Sequence, residues 1–203
     1  YRALWGFTPV AFSGLETKVR DRASYVMVQH DIRFVFTAPL TPDGEIAEHV
    51  RAHGDGVHDI AFRVADVESA WRETTSRGAV SALAPTMLDG GDDGVLRMAS
   101  IRTYGETLHS FVDRSDYHGA FAPGYRKVKT PAPAAAGLDL LEVDHCVGNV
   151  GLGEMDRFVD FYRDVMGFAQ LIHYDDKVIH TDYSALMSKV MTNGNGRVKF
   201  PIN

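Results

Sequence analysis

Apolar and polar residues alternate over residues 141–149, LEVDHCVGN. The alternation predicts a strand that carries Leu141, Val143, His145 and Val147 on one face and turns Cys146 to the other. A helix over 154–166 follows, because Met155, Phe158, Val159, Tyr162 and Met166 recur at helical spacing and Gly167 closes the run. Strands are then predicted at 168–174, 181–192 and 197–203, the last two joined by the hairpin signal NGNG at 193–196. Upstream, residues 2–6 read as the end of a helix with Gly6 as its cap. Strands are predicted at 9–12, 24–29 and 32–37, with His30 and Asp31 as the hairpin turn. Pro42 and Asp43 open a helix with Ile46, Ala47 and Val50 on one stripe, ending near Gly54. A strand at 57–64 precedes a helix over 67–77, capped by Asp66 and closed by Gly78. The acidic turn DGGDDG at 89–94 lacks the closing glutamate of an EF-hand and reads as a solvated hairpin tip. Strands at 95–102 and 107–113 pair around Tyr104 and Gly105.

Prolines, glycines and alanines break this rhythm over 115–137, which reads as a linker between a domain at 1–114 and the start of another at 138–203. Tyr117, Phe121 and Tyr125 predict that the first half of the linker packs. The two domains echo one another. YRALWGF at 1–7 matches YRDVMGF at 162–168, SYVMV at 24–28 resembles 185–190, and RFVF at 33–36 resembles RVKF at 197–200. Both copies run helix end, strand, hairpin, strand. The fold class expected is α+β, built of tandem βαβββ modules with the second module incomplete. Two such curved sheets enclose a cleft. The chain opens on a helix end without its start and stops after a strand, so a fragment truncated at both ends is expected.

Composition narrows the function classes. Hydrophobic residues make up 45% of the 203 and charged residues 24%, ordinary for a globular chain. The net charge of −6 gives no basic footprint for nucleic acid, and no apolar run reaches the length of a membrane span. Cys146 is the single cysteine, which excludes an internal disulfide and suits a reducing, cytoplasmic setting. It reads as a small apolar filler.

Tandem βαβββ modules of this kind resemble the vicinal-oxygen-chelate superfamily. Within it, VDHCVGNV, FYRDVMGF, TDYSALMSKV and KFPIN resemble the catalytic half of the 4-hydroxyphenylpyruvate dioxygenase family in its bacterial form. HGDGVHDIAF, TYGETLHSFVDR and PGY resemble that family's N-terminal domain. The resemblance spans essentially the whole chain. It implies a non-haem Fe(II) enzyme that uses O2 to convert 4-hydroxyphenylpyruvate to homogentisate in tyrosine breakdown. Iron is held there by two histidines and a glutamate, leaving positions for a chelating 2-oxo acid and O2. His145 matches the first iron ligand. Val147 matches an apolar position of the substrate cavity, and Ser188 and Asn203 match polar positions around the substrate. A homo-oligomer is also expected.

Each assignment has a plainer alternative. A lone histidine on an apolar face also reads as a hydrogen-bonded core residue, Ser188 as an ordinary strand serine and Asn203 as a strand end. The second histidine and the glutamate of the family pattern have no match in the chain. Asp59 stands where the first copy would carry the histidine, with His58 one residue out of register, and Ser110 where it would carry the glutamate. His49 and His53 have a helical ligand spacing but no acidic partner motif, and with His58 and His109 they read as surface or scaffolding residues. The chain by itself is therefore expected to hold iron weakly and to show no turnover. The rival readings are hydroxymandelate synthase, a metal-free binding module of the same fold, and an extradiol dioxygenase. SALMSKV and FPIN argue against the last.

Overall fold

The computed structural model describes residues 1–129, 138–174 and 188–203. Contacts divide the chain into two compact units, one of Tyr1–Val57, Met87–Arg97 and Asp113–Val143, the other of His58–Thr86, Met98–Val112 and Asp144–Asn203.

In the first unit, α1 (Arg2–Trp5) stops at Gly6, whose φ of 81° is the left-handed turn that glycine takes without strain. Strands β1 (Thr8–Ser13), β2 (Arg22–Gln29) and β3 (Ile32–Pro39) follow, and the turn at His30 and Asp31 joins β2 to β3 as the alternation predicts. Phe7, Met27 and Ile32 form a small core with Phe34 packed against it. Helix α2 (Glu45–His53) buries Ala47 and ends at Gly54. The Arg114 guanidinium lies 4.6 Å above the Phe121 ring, and Phe121 meets Tyr125 edge-on. The first half of the predicted linker is thus packed, while 130–137 lies outside the described residues.

The second unit holds β4 (Asp59–Arg63), α3 (Val67–Ser76), parts of β5 (Ser81–Asp89) and β6 (Val95–Arg102), and most of β7 (Leu108–Asp113). The sheet runs β4-β7-β6-β5, with β4 parallel to β7. Asp66 caps α3 by accepting a 3.0 Å hydrogen bond from the Ser69 amide. Strand β5 is absent from the sequence-based prediction because Pro85 interrupts it. It lies at the sheet edge, where a missing N–H is tolerated.

The next strand, β8 (Arg126–Lys127), adds to β1 in the first unit, giving β3-β2-β1-β8. The βαβββ order then recurs in the second unit. It begins at residues 146–150 and passes through α4 (Met155–Asp160), after which the predicted long helix widens into a π turn over Phe161–Val165. Strands β9 (Ala169–Tyr174), β10 (Ser188–Thr192) and β11 (Lys199–Ile202) complete it, in the order β11-β10-β9. Gly148 bridges in parallel to Ile202, as β4 does to β7. The order β11-β10-β9 also matches β3-β2-β1, and Gly167 repeats the left-handed turn of Gly6 with a φ of 70°. Val159, Tyr162, Phe168, Met191, Phe200 and Ile202 form the main core, and Ile60 and Phe62 of β4 pack on it. Tyr162 stacks on Phe200 with centroids 4.9 Å apart.

Two expectations change. The strand predicted from Leu141 does not form there: Leu141 is 62% exposed and Val143 45%, and pairing with β11 begins only at Cys146. The NGNG turn is wider than a two-residue hairpin, since the Asn193 amide reaches the Val198 carbonyl at 3.2 Å. The predicted strand at 181–192 is described from Ser188 onward, and its residues 181–187 lie outside the described residues. Among the described residues no helix is long and apolar enough to cross a membrane, which leaves strand-built membrane proteins unaddressed.

Candidate functional site

The segment at 146–150 is a short parallel partner of β11. Cys146 N–H donates to the Lys199 carbonyl at 3.2 Å, Gly148 N–H to Pro201 at 2.9 Å and Val150 N–H to Asn203 at 3.0 Å. The Asn203 amide returns a 3.0 Å bond to the Gly148 carbonyl. Successive side chains on a strand point to opposite faces. Cys146 and Val150 pack against the core, so His145, Val147 and Asn149 take the other face. On β11 the core residues are Phe200 and Ile202, which turns Lys199, Pro201 and Asn203 outward with them. Met191 pairs with Phe200 and Val190 with Pro201. Carried one pair beyond Lys189 and Ile202, the same register sets Ser188 opposite Asn203.

His145, Val147, Ser188 and Asn203 therefore share the sheet face away from the core. The side chain of His145 is 48% exposed, so it is not the buried core histidine of the plainer reading. Val147 is exposed, Ser188 is buried, and Asn203 carries a buried Oδ1 with no hydrogen-bond partner among the described residues. A buried carbonyl oxygen left unpaired costs free energy unless something supplies a donor. Leu141 and Val143, which the alternation groups with His145, belong to the other compact unit.

Two residues not predicted surround the histidine. Asp144 Oδ2 lies 2.7 Å from His145 Nδ1, and Lys199 Nζ donates to Asp144 Oδ1 at 2.6 Å. The Lys199 ammonium and then His145 hold the Asp144 carboxyl below the usual carboxylate range. With Nδ1 engaged by a carboxylate, Nε2 is the ring nitrogen available to a metal. A carboxylate beside a histidine was visible in the sequence, whereas the lysine on β11 is brought in only by the fold. Cys146 behaves as the apolar filler expected of it, with burial pushing its thiol pKa up.

A buried polar chain supports the strand from behind. His109 Nε2 lies 2.8 Å from the Tyr162 hydroxyl, and Tyr162 donates to the Tyr104 hydroxyl at 3.5 Å. A Cβ on Gly148 would sit 2.3 Å from the Tyr104 hydroxyl oxygen, so the tyrosine abuts the strand where only glycine fits. Burial lowers the His109 pKa to about 4. On β4 and β7, Asp59 Oδ2 accepts a 2.6 Å bond from Ser110 Oγ, which lies 2.7 Å from Ser100 Oγ. The residue is open to solvent overall, but bulk around the bonded oxygen raises the Asp59 pKa. This arrangement is a hydroxyl-capped carboxylate. Among the described residues no three His, Cys, Asp or Glu side chains gather to hold a metal, so His145 offers one ligand only.

The profile of the family described as "Hydroxyphenylpyruvate dioxygenase, HPPD, N-terminal" matches residues 3–123. The chain belongs to the hydroxyphenylpyruvate dioxygenase family. Residues 142–203 match the Glyoxalase/Bleomycin resistance protein/Dioxygenase superfamily, in keeping with the vicinal-oxygen-chelate modules of the fold. Among similar family members, the 4-hydroxyphenylpyruvate dioxygenases of Aspergillus fumigatus and Dictyostelium discoideum are each 42% identical over the whole of this chain, which covers 55% and 56% of their lengths. That of Caenorhabditis elegans is 41% identical, with 52% of its length covered. The chain thus spans about half the length of the curated relatives it matches. The fold is shared with a solved 4-hydroxymandelate synthase variant from Streptomyces coelicolor, with a TM-score of 0.80 and 24% identity over 97% of this chain and 55% of that one. It is shared too with a xylose isomerase-like TIM barrel/4-hydroxyphenylpyruvate dioxygenase fusion protein, with a TM-score of 0.69 and 17% identity over 97% of this chain and 28% of that one.

Proposed function

We propose that this chain is part of a 4-hydroxyphenylpyruvate dioxygenase and carries one wall of its active site. His145 supplies one imidazole to Fe(II) through Nε2, with Asp144 fixing the ring's orientation. When bound, Fe(II) supplies the Lewis-acid and redox chemistry by which O2 turns 4-hydroxyphenylpyruvate into homogentisate. Val147 presents an apolar surface to the substrate ring. Ser188 and Asn203 supply polar contacts, and the unpaired Asn203 Oδ1 is an acceptor that suits a phenol hydroxyl.

The observation that carries the reading is the common face. Four residues matched to the family pattern by their motifs share the sheet face turned away from the core. The remaining ligands belong to a second histidine and a glutamate that the described residues do not supply. A homo-oligomer and a cytoplasmic setting, the latter supported by the lone cysteine, belong to the same proposal.

The test uses a protein that spans the relatives' full length, loaded with Fe(II). It should consume O2 with 4-hydroxyphenylpyruvate and release homogentisate, and His145→Ala should abolish turnover. The 203-residue chain alone should show none. Release of 4-hydroxymandelate would transfer the protein to the synthase reading. Stoichiometric ligand binding without O2 uptake would leave a metal-free binding module.

A further inference from the structure

Helix α2 carries a pair of metal-competent side chains that the dioxygenase reading does not use. His49 and His53 are one turn apart, and their ring centroids are 4.8 Å from one another at an interplanar angle of 45°. The helix that fixes them is anchored by buried Ala47 and by Arg51, whose Nη2 donates to the Pro42 carbonyl at 2.7 Å. It ends at Gly54, whose N–H donates to Val50 O at 2.8 Å. Two imidazoles on one tetrahedral ion, each bound at about 2.0–2.1 Å, bring their ring centres to roughly 5 Å apart. The observed separation meets that requirement without unwinding the helix. Glu45 stands four residues before His49, extending the row with a negative charge. His53 lies in the last helical turn, where the aligned backbone dipoles favour a cation.

We propose that His49 and His53 form a two-imidazole site for a borderline divalent cation, represented by Zn(II). Among the described residues no third His, Cys, Asp or Glu joins them in a metal-holding group, so the pair itself is the proposed site. Neutral imidazole is a strong ligand for Zn(II), Ni(II) and Cu(II), and the order of divalent affinities puts Fe(II) below all three. The site therefore takes Zn(II) in preference to Fe(II). It also staples the last two turns of α2. None of this rests on the dioxygenase reading, since it needs only the helix and its two rings.

The experiment is a Zn(II) titration of the 203-residue protein, followed by calorimetry and by imidazole nitrogen NMR. A saturable site should perturb the rings of His49 and His53. Its affinity should fall at least about tenfold in His53→Gln and again in His49→Gln, since even loss of an outer-shell partner costs about 10–100-fold. His53 is exposed, so its replacement leaves the fold intact, and circular dichroism checks this. Binding should persist in His145→Gln, and equimolar Fe(II) should not displace the zinc. The proposal is overturned by the absence of saturable binding, by binding that His53→Gln leaves unchanged, or by binding that His145→Gln removes.

Discussion

His109 Nε2 lies 2.8 Å from the Tyr162 hydroxyl, and both side chains are sealed from solvent. The other ring nitrogen, Nδ1, is buried and meets no hydrogen-bond geometry with a partner among the described residues. A bare lone pair costs less than a bare N–H, so the proton belongs on Nε2, which donates to Tyr162. Tyr162→Phe keeps the ring stacked on Phe200 and removes that acceptor. The variant should lose about 1–3 kcal/mol, the cost of an unsatisfied buried donor. Urea unfolding reads the loss as a lower midpoint with an unchanged slope. A stability equal to the parent's would mean that the bond contributes nothing net.

The same histidine sets a pH dependence. Its pKa is about 4 when folded, against about 6.5 in an unfolded chain. Between those values the unfolded state binds more protons, so stability rises with pH. The His109 contribution is fully present above about pH 6.5, is lost as the pH falls towards 4, and levels off below. A gap of this size corresponds to about 3 kcal/mol. Exposed carboxylates with lowered pKa values, such as Asp144 and Asp66, lose their share only at lower pH. Melting curves at pH 7 and pH 4.5 should therefore converge in His109→Gln, which removes the titrating ring and keeps a partner for Tyr162. An undiminished difference in that variant would assign the slope to other groups.

The pattern of single residues made much of this legible. Gly6 and Gly167, each followed by a buried Phe, mark the same turn in two modules, and the repeat was readable from seven residues at a time. The alternation that singled out His145 also gave the correct opposition to Cys146. It misjudged where the strand begins, because alternation continues upstream to Leu141 while the partner strand offers its first acceptor at Lys199. Pro85 hid β5, since an edge strand tolerates what an interior one does not. The contacts of Asp144 with Lys199 and of Tyr104 with Gly148 join residues far apart in the chain. No local signal carries such pairs; they exist only once β11 and the turn between β6 and β7 are in place.

Gly148 offers a direct test of that second contact. An alanine there would place Cβ 2.3 Å from the Tyr104 hydroxyl oxygen and 2.6 Å from its Cζ. Tyr104 cannot swing away freely, because its ring packs edge-on to Phe158 at 5.2 Å. Gly148→Ala should cost about 1–3 kcal/mol by overpacking. Tyr104→Ala opens the space and carries its own cavity cost. In that background the alanine at position 148 should cost much less, so the double-mutant cycle should give a coupling of about 1 kcal/mol or more. Additive losses would show that the tyrosine does not brace the strand.

Asp144 is the residue whose replacement separates orientation from charge at His145. Asn at this position can still accept from Nδ1–H but removes the negative charge that strengthens Nε2 as a ligand. Ala removes both. In a protein of the relatives' full length, Fe(II) affinity should fall about tenfold in Asp144→Asn and approach a hundredfold in Asp144→Ala, the range seen when outer-shell partners are lost. Lys199→Met is the control: it removes the ammonium that holds the Asp144 pKa down, but an ordinary aspartate is still ionised at pH 7, so affinity should barely move. The pair of contacts is exposed, so thermal stability should stay within about 0.5 kcal/mol of the parent in all three variants. Fe(II) binding followed by calorimetry gives the order directly. Equal affinity in parent and Asp144→Ala would remove Asp144 from the site, and a large loss in Lys199→Met would mean that the lysine rather than the aspartate orients the ring.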